Sequence, residues 1–442
     1  MSKEMLEYAL NKARLNGSDQ ADAILAESVN LNLSQRLGKK EKLERAEAKE
    51  LGLRAFVGKR QAIVSTNDLS KESLDLLAER VVEMAKVVPE DPFCGLPEAS
   101  QFTNDLIDLD SLDSYEPSEA DLSQWASQAE DSALGIAGIS NSEGAETGWS
   151  RNNISLATST GFMGETRQSR FGLSVSVIAG SGTAMERDYD YSTSVYASDL
   201  KSPIAIGKDA ATRAMRRLNP KKIKSAQMPV IFEPRLANSL LSHFSSAING
   251  GSVARGTTFL KDKMGKKIFA DNITIMDDPR RKRGLRSRSF DGEGLAAYPL
   301  TLVENGVLQD WILDCRSARQ LGLVSNGRAS RGIGSGISPS STNLYMTCGA
   351  TSPETMIKSI KYGLYVTELI GFGVNQITGD YSRGAAGFLI EGGELTSAVS
   401  EITIAGNLLD MFARLIPAND LKFQYGTDSP TILIEDMMVA GQ

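Results

Sequence analysis

Residues 231–259 read IFEPRLANSLLSHFSSAINGGSVARGTTF: an apolar strand end, a helix and a glycine-rich exit in direct succession. Glu233-Pro234 opens the helix, because proline has no N–H to lose in a first turn and its fixed φ is already helical. Leu236, Leu240, Leu241, Phe244 and Ile248 then recur at helical spacing, which predicts one buried stripe. Asn249-Gly250-Gly251 closes the helix, and residues of that kind are expected in left-handed backbone conformations there. The helix carries His243, the single histidine of the protein.

One histidine in 442 residues excludes several chemistries. No histidine pair can hold a metal within one chain, and a Ser-His-Asp triad would have to use His243 without a GxSxG elbow to serve it. Gly38-Lys39, Gly58-Lys59, Gly207-Lys208 and Gly265-Lys266 all lack the hydroxyl residue that would complete a phosphate loop. Gly332-Ile333-Gly334-Ser335-Gly336 lacks the third glycine spacing of a nucleotide loop, so a turn or a tight strand crossing is the better account. The net charge of -7 and pI of ≈ 5.2 oppose bulk attraction to nucleic acid. Cys94, Cys315 and Cys348 are odd in number, far apart and outside any CxxC, which suggests free thiols in a reducing compartment. The opening MSKEMLEYALNKARLNG is charged throughout and no apolar run approaches membrane-spanning length. A cytoplasmic protein with no membrane partner is expected.

With 41% hydrophobic and 23% charged residues the chain has an ordinary globular composition, and its length predicts two or three domains. Residues 4–16 predict an amphipathic helix and residues 23–33 an alternating strand. Residues 39–50 are charge-dense and helical by propensity, and local composition leaves their conformation open. Residues 51–57 and 61–66 predict a hairpin about Gly58-Lys59, followed by a helix over 68–87 capped by Asp68 or Ser70. Residues 88–120 contain Pro89, Pro92, Pro97 and Pro117 among acidic residues and are expected to be a solvated linker. A helix over 118–134 and β-rich stretches over 136–143, 153–160, 161–179 and 183–194 come next, with a hairpin turn at Gly161-Phe162-Met163-Gly164. A helix over 203–218 ends at the boundary Asn219-Pro220-Lys221-Lys222. Beyond it, Asp291-Gly292-Glu293-Gly294, Glu304-Asn305-Gly306 and Glu391-Gly392-Gly393 lie between apolar alternations as hairpin turns. Ser352-Pro353-Glu354 opens a helix over 352–363. The expected class is α+β: a mixed N-terminal half with a linker, then a strand-rich curved antiparallel sheet or barrel-like domain. The expected units are 1–88, 89–220 and 221–442.

Four long phrases carry a resemblance to a known family. They are ARGTTFLKDKMGKKI (254–268), RSFDGEG (288–294), LVENGVLQDWILDCRSARQLGL (302–323) and YGLYVTELIGFGVNQITGDYSRGAAGFLIEGGEL (362–395). In this order they resemble the TldD/PmbA family, and the last is similar to its PmbA (TldE) branch. The resemblance implies an extended conformation for residues 39–50. It also implies membership of a zinc metallopeptidase assembly that matures unfolded peptides, of the antibiotic-precursor leader or antitoxin type. In TldD-like subunits an HExxxH helix and a cysteine near the C-terminus hold the zinc. Aligned on Arg255-Gly256-Thr257, the histidines fall at Leu241 and Ser246 and the glutamate at Ser242, while residues 409–442 hold no cysteine. Leucine and serine supply neither a zinc ligand nor a general base. No catalytic or metal-binding residue is therefore expected here. Zinc is expected in a TldD-like partner, with this chain as the other subunit of a heterodimer or higher assembly, and as a homodimer when alone.

The remaining candidates each have a plainer counterpart. Thr342, Asn343 and Tyr345 lie in an alternating segment after a serine-glycine loop (332–341) expected to be flexible. They are candidate peptide-binding residues bordering a cleft where an extended chain is held by main-chain hydrogen bonds; the counterpart is a core strand in which Asn343 satisfies a turn. Ser242, Ser245 and Ser246 offer hydroxyls for a nucleophile, or simply the polar face of a helix. Arg280-Arg281-Lys282-Arg283 with Arg286 and Arg288 offers phosphate contacts, but no aromatic residues interleave it, and a solvated loop meeting acidic surface is expected. Asp277-Asp278 has no metal-ligand spacing. Two competing functions stand beside the partner-subunit reading: an active metallopeptidase in its own right, and a DNA-gyrase-modulating binding protein.

Overall fold

The computed structural model describes residues 2–102 and 106–442. The chain opens with α1 (Ser2–Leu15), β1 (Gln20–Arg36), β2 (Lys39–Val57), β3 (Arg60–Thr66) and α2 (Lys71–Val87). Ser70 caps α2 by accepting from the Ser73 N–H. Then follow α3 (Glu119–Leu134), β4 (Ile139–Thr158), β5 (Met163–Ala179), β6 (Glu186–Ser194) and α4 (Pro203–Arg216). All six strands form one antiparallel sheet in the order β3-β2-β1-β4-β5-β6. β1 is the seam, pairing with β4 from Asp22 opposite Thr158 to Gln35 opposite Ala145. The units 1–88 and 89–220 therefore share a sheet. The stretches 136–143 and 153–160 are parts of one long strand, β4. Residues 39–50 are extended: they pair with β1 while their side chains stay exposed, so ladder hydrogen bonds rather than burial hold them.

The two faces of this sheet differ. Ala21, Ala23, Leu25, Leu31 and Leu33 lie on one face of β1 by its period of two. The first three pack in the core beneath α1 and α2, the last two in the core beneath α3 and α4. The opposite face presents Ile24 and Leu156 to Phe162 and Phe290, and so meets the C-terminal half. Polar groups join the halves as well. Arg54 Nε lies 2.9 Å from Asp22 Oδ2, and Arg331 Nη1 lies 2.5 Å from Asp22 Oδ1, an ion contact without hydrogen-bond alignment. Glu293 stands 4.0 Å from Arg54 and accepts the Cys315 N–H at 2.8 Å.

Residues 88–120 are a strap rather than the solvated linker expected from their prolines and charges; residues 103–105 of it lie outside the described residues. Cys94, Leu96 and Leu109 are buried. Arg319 donates to the carbonyls of Phe93, Gly95 and Leu96, and Arg316 pairs with Asp91 at 2.6 Å. Asp113 N–H donates to Ser169 Oγ on β5. Proline-rich segments without their own ladder can still be fixed when side chains elsewhere satisfy their carbonyls.

The C-terminal half contains β7 (Ala226–Phe232), α5 (Pro234–Ala247), α6 (Gly250–Ala254), β8 (Ile275–Asp277), β9 (Leu300–Glu304) and β10 (Val307–Leu308). It continues through α7 (Cys315–Leu321), β11 (Ala329–Arg331), β12 (Ile337–Pro339), β13 (Leu344–Met346), α8 (Pro353–Lys358) and β14 (Tyr362–Ile370). It ends with β15 (Asp380–Glu391), β16 (Glu394–Asn407), α9 (Leu408–Ala413), β17 (Leu415–Pro417), β18 (Thr427–Asp428) and β19 (Ile432–Ala440). Strands β16-β15-β14-β7-β19 pair in that order, and β16 pairs again with β19, Thr403 opposite Ala440. The sheet thus closes into a five-strand barrel, parallel only between β7 and β14. A second sheet runs β10-β9-β8-β13-β18, and β11 and β12 form a separate hairpin. The barrel-like α+β domain expected from the sequence is present.

Helix α5 buries Ala237, Leu240, Leu241, Phe244 and Ala247 in the main C-terminal core. Each of the leucines and the phenylalanine contributes about 1.5–3 kcal/mol by leaving water. The exit of α5 departs from expectation. Asn249 has φ -62 and caps α6, and among Asn249, Gly250 and Gly251 no left-handed residue occurs. Gly250 is required by packing: a Cβ there would press on Leu313, Ser317 Oγ and the Ile312 carbonyl. The left-handed glycine is Gly256, at φ 68. Two expected hairpin turns carry two successive positive φ values: Asn305 and Gly306 (49, 80) and Gly392 and Gly393 (60, 86). Asp291-Gly292-Glu293-Gly294 turns between the isolated bridge partners Phe290 and Ala296. The helix at Ser352 stops at Lys358, because Tyr362 already enters β14.

Candidate functional site

A cavity of about 790 Å³ lies where the N-terminal sheet meets the C-terminal half. Its walls are β6 from Asp190 to Ser194, the first turn of α5, residues 281–285 and residues 420–429. β6 is the edge of its sheet, so every second residue turns its N–H and C=O away from β5. The Tyr189 carbonyl marks that outward direction by accepting from Arg213 and Arg235, both at 3.3 Å. By period two, Tyr191 and Thr193 turn their main-chain groups the same way. Among the described residues nothing bonds to those groups outside the β5 ladder.

The inner charges of this wall are matched. Asp188 and Asp190 are buried acids on β6. Arg235 reaches Asp188 at 2.9 Å, and Arg213 and Lys201 reach Asp190 at 2.6 and 2.5 Å. Burial holds the Glu233 carboxyl above its ordinary range despite Arg235 beside it, while Glu233 and Asp188 raise the Arg235 guanidinium against its burial. Tyr191 and Tyr425 face each other with ring centroids 5.2 Å apart. Burial and the neighbouring Tyr425 push the Tyr191 phenol upward, so it stays a neutral donor.

The candidate peptide-binding residues divide here. Asn343 lines the cavity, but its side chain is committed: Nδ2 donates to the Asp278 carbonyl at 2.7 Å and to Ser287 Oγ at 2.8 Å, and Oδ1 accepts from the Arg286 N–H. Thr342 turns to Asp277, donating through Oγ1 at 2.8 Å. Tyr345 is half-buried and packs edge-on against Phe423, which lines the cavity. The loop 332–341 is not free: β11 and β12 hold it as a hairpin whose Ile333 carbonyl presses on Gly52 of β2.

The helix positions aligned with the zinc motif do not fit zinc. Leu241 is 1% exposed in the core and has no donor atom. The Ser242 and Ser246 hydroxyls are exposed and back-bond to the Asn238 and Ser242 carbonyls, which accounts for them as a polar helix face. Ser245 bonds to Ser341. His243 is half-buried against Tyr381, ring centroids 6.1 Å apart, and its Nε2 has no partner. Burial lowers its pKa, with Arg383 adding to the effect, so the imidazole stays neutral. Among the described residues no group of three His, Cys, Asp or Glu side chains is placed to hold a metal ion.

The basic run separates by position. Arg280 donates to the Ala297 carbonyl, and Arg288 donates to the Ala329 and Ser340 carbonyls. Arg283 pairs with Asp110 and Asp199, as expected of a loop that meets acidic surface. Arg281 and Lys282 line the cavity beside Arg283 and make no ion pair among the described residues. The edge position of β6 and the cavity were not legible in the sequence. Alternation in residues 183–194 shows a strand but not which side of it lies open.

Three family models cover most of the chain: PmbA/TldA metallopeptidase domain 1 over residues 21–85, the central domain over 112–218 and the C-terminal domain over 225–441. The chain belongs to the PmbA/TldD metallopeptidase family. It is 36% identical to metalloprotease PmbA of Escherichia coli, over 100% of this chain and 97% of that one. It is 34% identical to the PmbA homologue of Haemophilus influenzae, over 99% and 96%. A crystal structure from Bacteroides thetaiotaomicron, described as a proposed modulator of DNA gyrase, superposes with a TM-score of 0.92 at 28% identity, over 100% of this chain and 99% of that one. TldE of Thermococcus kodakarensis shares the fold, with a TM-score of 0.88 at 22% identity over 99% and 100% of the two chains. No helix among the described residues is long and apolar enough to cross a membrane.

Proposed function

We propose that this chain is the non-catalytic, PmbA-type subunit of a cytoplasmic zinc metallopeptidase assembly, working with a TldD-like partner that holds the zinc. The observation that carries this reading is the α5 face, where Leu241, Ser242 and Ser246 offer neither metal ligands nor a general base. The cavity supports a remaining task. An unfolded peptide, of the antibiotic-precursor leader or antitoxin type, lies along the outward edge of β6 and is held by main-chain hydrogen bonds to Tyr191 and Thr193. Such capture tolerates many sequences, because the groups it reads are common to every residue. Side chains around Tyr191 and Tyr425 contribute apolar contact.

The test is cleavage of an unstructured peptide by this chain, by a TldD-like subunit and by their mixture, each with and without chelator. Chelator-sensitive cleavage that requires the mixture supports the proposal. Cleavage by this chain alone, together with stoichiometric bound zinc, overturns it in favour of an active metallopeptidase.

A further inference from the structure

The cations of the cavity fall into two sets. Lys201, Arg213 and Arg235, on the β6 side, all pair with carboxylates. On the facing side Arg281 lies over the Phe423 ring, 3.3 Å from its centroid, and makes no ion pair among the described residues. Lys282 and Lys422 are exposed and without ion pairs among the described residues, whereas Arg283 of the same wall pairs with Asp110 and Asp199. The nearby Asp428 is buried and accepts the Gln424 and Tyr425 N–H groups through Oδ1, both at 2.8 Å, without an ion pair to these cations. Burial holds the Arg281 guanidinium below its ordinary value, and Asp428 and Asp278 do not make up the difference. In a chain of net charge -7, this concentration of unmatched positive charge on one wall of a cavity calls for an anionic occupant.

Resting on the reading of the cavity as a peptide cleft, we propose that it selects acidic peptide segments, with Arg281, Lys282 and Lys422 receiving the carboxylates while the main chain lies along β6. Three observations converge on this: the outward edge of β6, the cations without ion pairs in the same cavity and the exposed Phe423 beneath Arg281. A peptide suits the site better than a nucleic acid. The outward groups of Tyr191 and Thr193 alternate donor with acceptor, a pattern that a peptide main chain completes. A phosphodiester chain has no donor to offer the carbonyls. Of the carboxylates of the cavity, Asp190, Asp199, Asp209 and Glu233 are ion-paired, while Asp428 is 3% exposed and Asp420 is taken up by the Thr431 N–H and hydroxyl.

The experiment measures binding of labelled unstructured peptides to the full chain by fluorescence anisotropy. One peptide is glutamate-rich, its counterpart has glutamine at the same positions, and a single-stranded oligonucleotide serves as the third probe. The glutamate peptide is expected to bind about tenfold more tightly than the glutamine peptide at low salt, through several weak exposed pairs. That preference should fall severalfold in the Lys282→Gln/Lys422→Gln variant, whose exposed, unpartnered side chains can change without disturbing the fold. An added Arg281→Gln substitution should reduce it further. Equal binding of both peptides overturns the acidic selectivity and leaves the cleft reading standing. Binding of neither peptide overturns the cleft itself. Preferential oligonucleotide binding that depends on the same lysines overturns the peptide in favour of nucleic acid.

Discussion

Arg235, in the first turn of α5, places Nη1 2.9 Å from the Asp188 carboxylate on β6 and donates through Nη2 to the Thr367 carbonyl at 3.0 Å. One side chain thus ties α5 to the edge of the N-terminal sheet and to β14 of the barrel. The ion pair is largely shielded from water, with side chains 8% and 2% exposed. Removing Arg235 leaves Asp188 only the more distant Arg217, at 3.6 Å, and takes away the ion-pair partner of Glu233. Arg235→Met is expected to cost about 3 kcal/mol, read as a lower urea midpoint. Arg235→Met combined with Asp188→Leu should recover part of the loss.

The Glu293 carboxyl is pushed up to about 7 by complete burial; Arg54 opposes the shift and Asp291 adds to it. Cys315, whose thiol burial also raises, and Asp314 face the same carboxyl. The folded state therefore holds a proton that the unfolded chain releases near pH 4.3. Stability from this group is fully present below that value and is lost as pH rises through about 7. In urea titrations at pH 5 and pH 8, the wild type should lose more stability on going to pH 8 than Glu293→Gln does. Parallel behaviour of the two proteins would contradict this.

A Cβ at Gly52 would collide with the Ile333 carbonyl, a backbone atom that cannot swing aside. Gly52→Ala should lift the β11–β12 hairpin from β2 at a cost of about 1–3 kcal/mol, as overpacking does. Limited proteolysis would report it as new cleavage within residues 332–336, a region the wild-type contact protects.

His243 has no hydrogen-bond partner at Nε2 and stays neutral, so it contributes mainly its ring against Tyr381. His243→Phe should leave peptide turnover by the mixed assembly within about twofold and shift stability by less than about 1.5 kcal/mol. Loss of zinc from the assembly on this substitution would show the imidazole to be a ligand after all.

Local chemistry made much of the chain legible. Pro234 at the start of α5 and the stripe Leu236, Leu240, Leu241, Phe244 and Ile248 are written in consecutive turns, and the helix is where they place it, with Leu236 only partly buried. Asn305-Gly306 and Gly392-Gly393 reveal their turns because few other residues accept two successive positive φ values. Gly250 misleads for a related reason: a glycine is also needed where two backbones approach closely, and composition does not separate that need from conformational freedom. Residues 39–50 could not be read because their preference is helical and their strand exists only through pairing with β1. The strap at residues 88–120 looked solvated because its anchors, Arg316 and Arg319, lie over two hundred positions away. The cleft shares this property, since Tyr191 and Tyr425 meet only after both halves have folded.

Sequence by itself determined most element types, the hairpin turns and the family. These follow from residue type and short-range spacing, whose physics is complete within a few turns of chain. Tertiary structure alone decided that β1 and β4 fuse two units into one sheet, that β16 closes on β19, and that the free edge of β6 faces unpaired cations. Those relations depend on strands distant in the chain finding a common register, and no local preference encodes a hydrogen-bond partner.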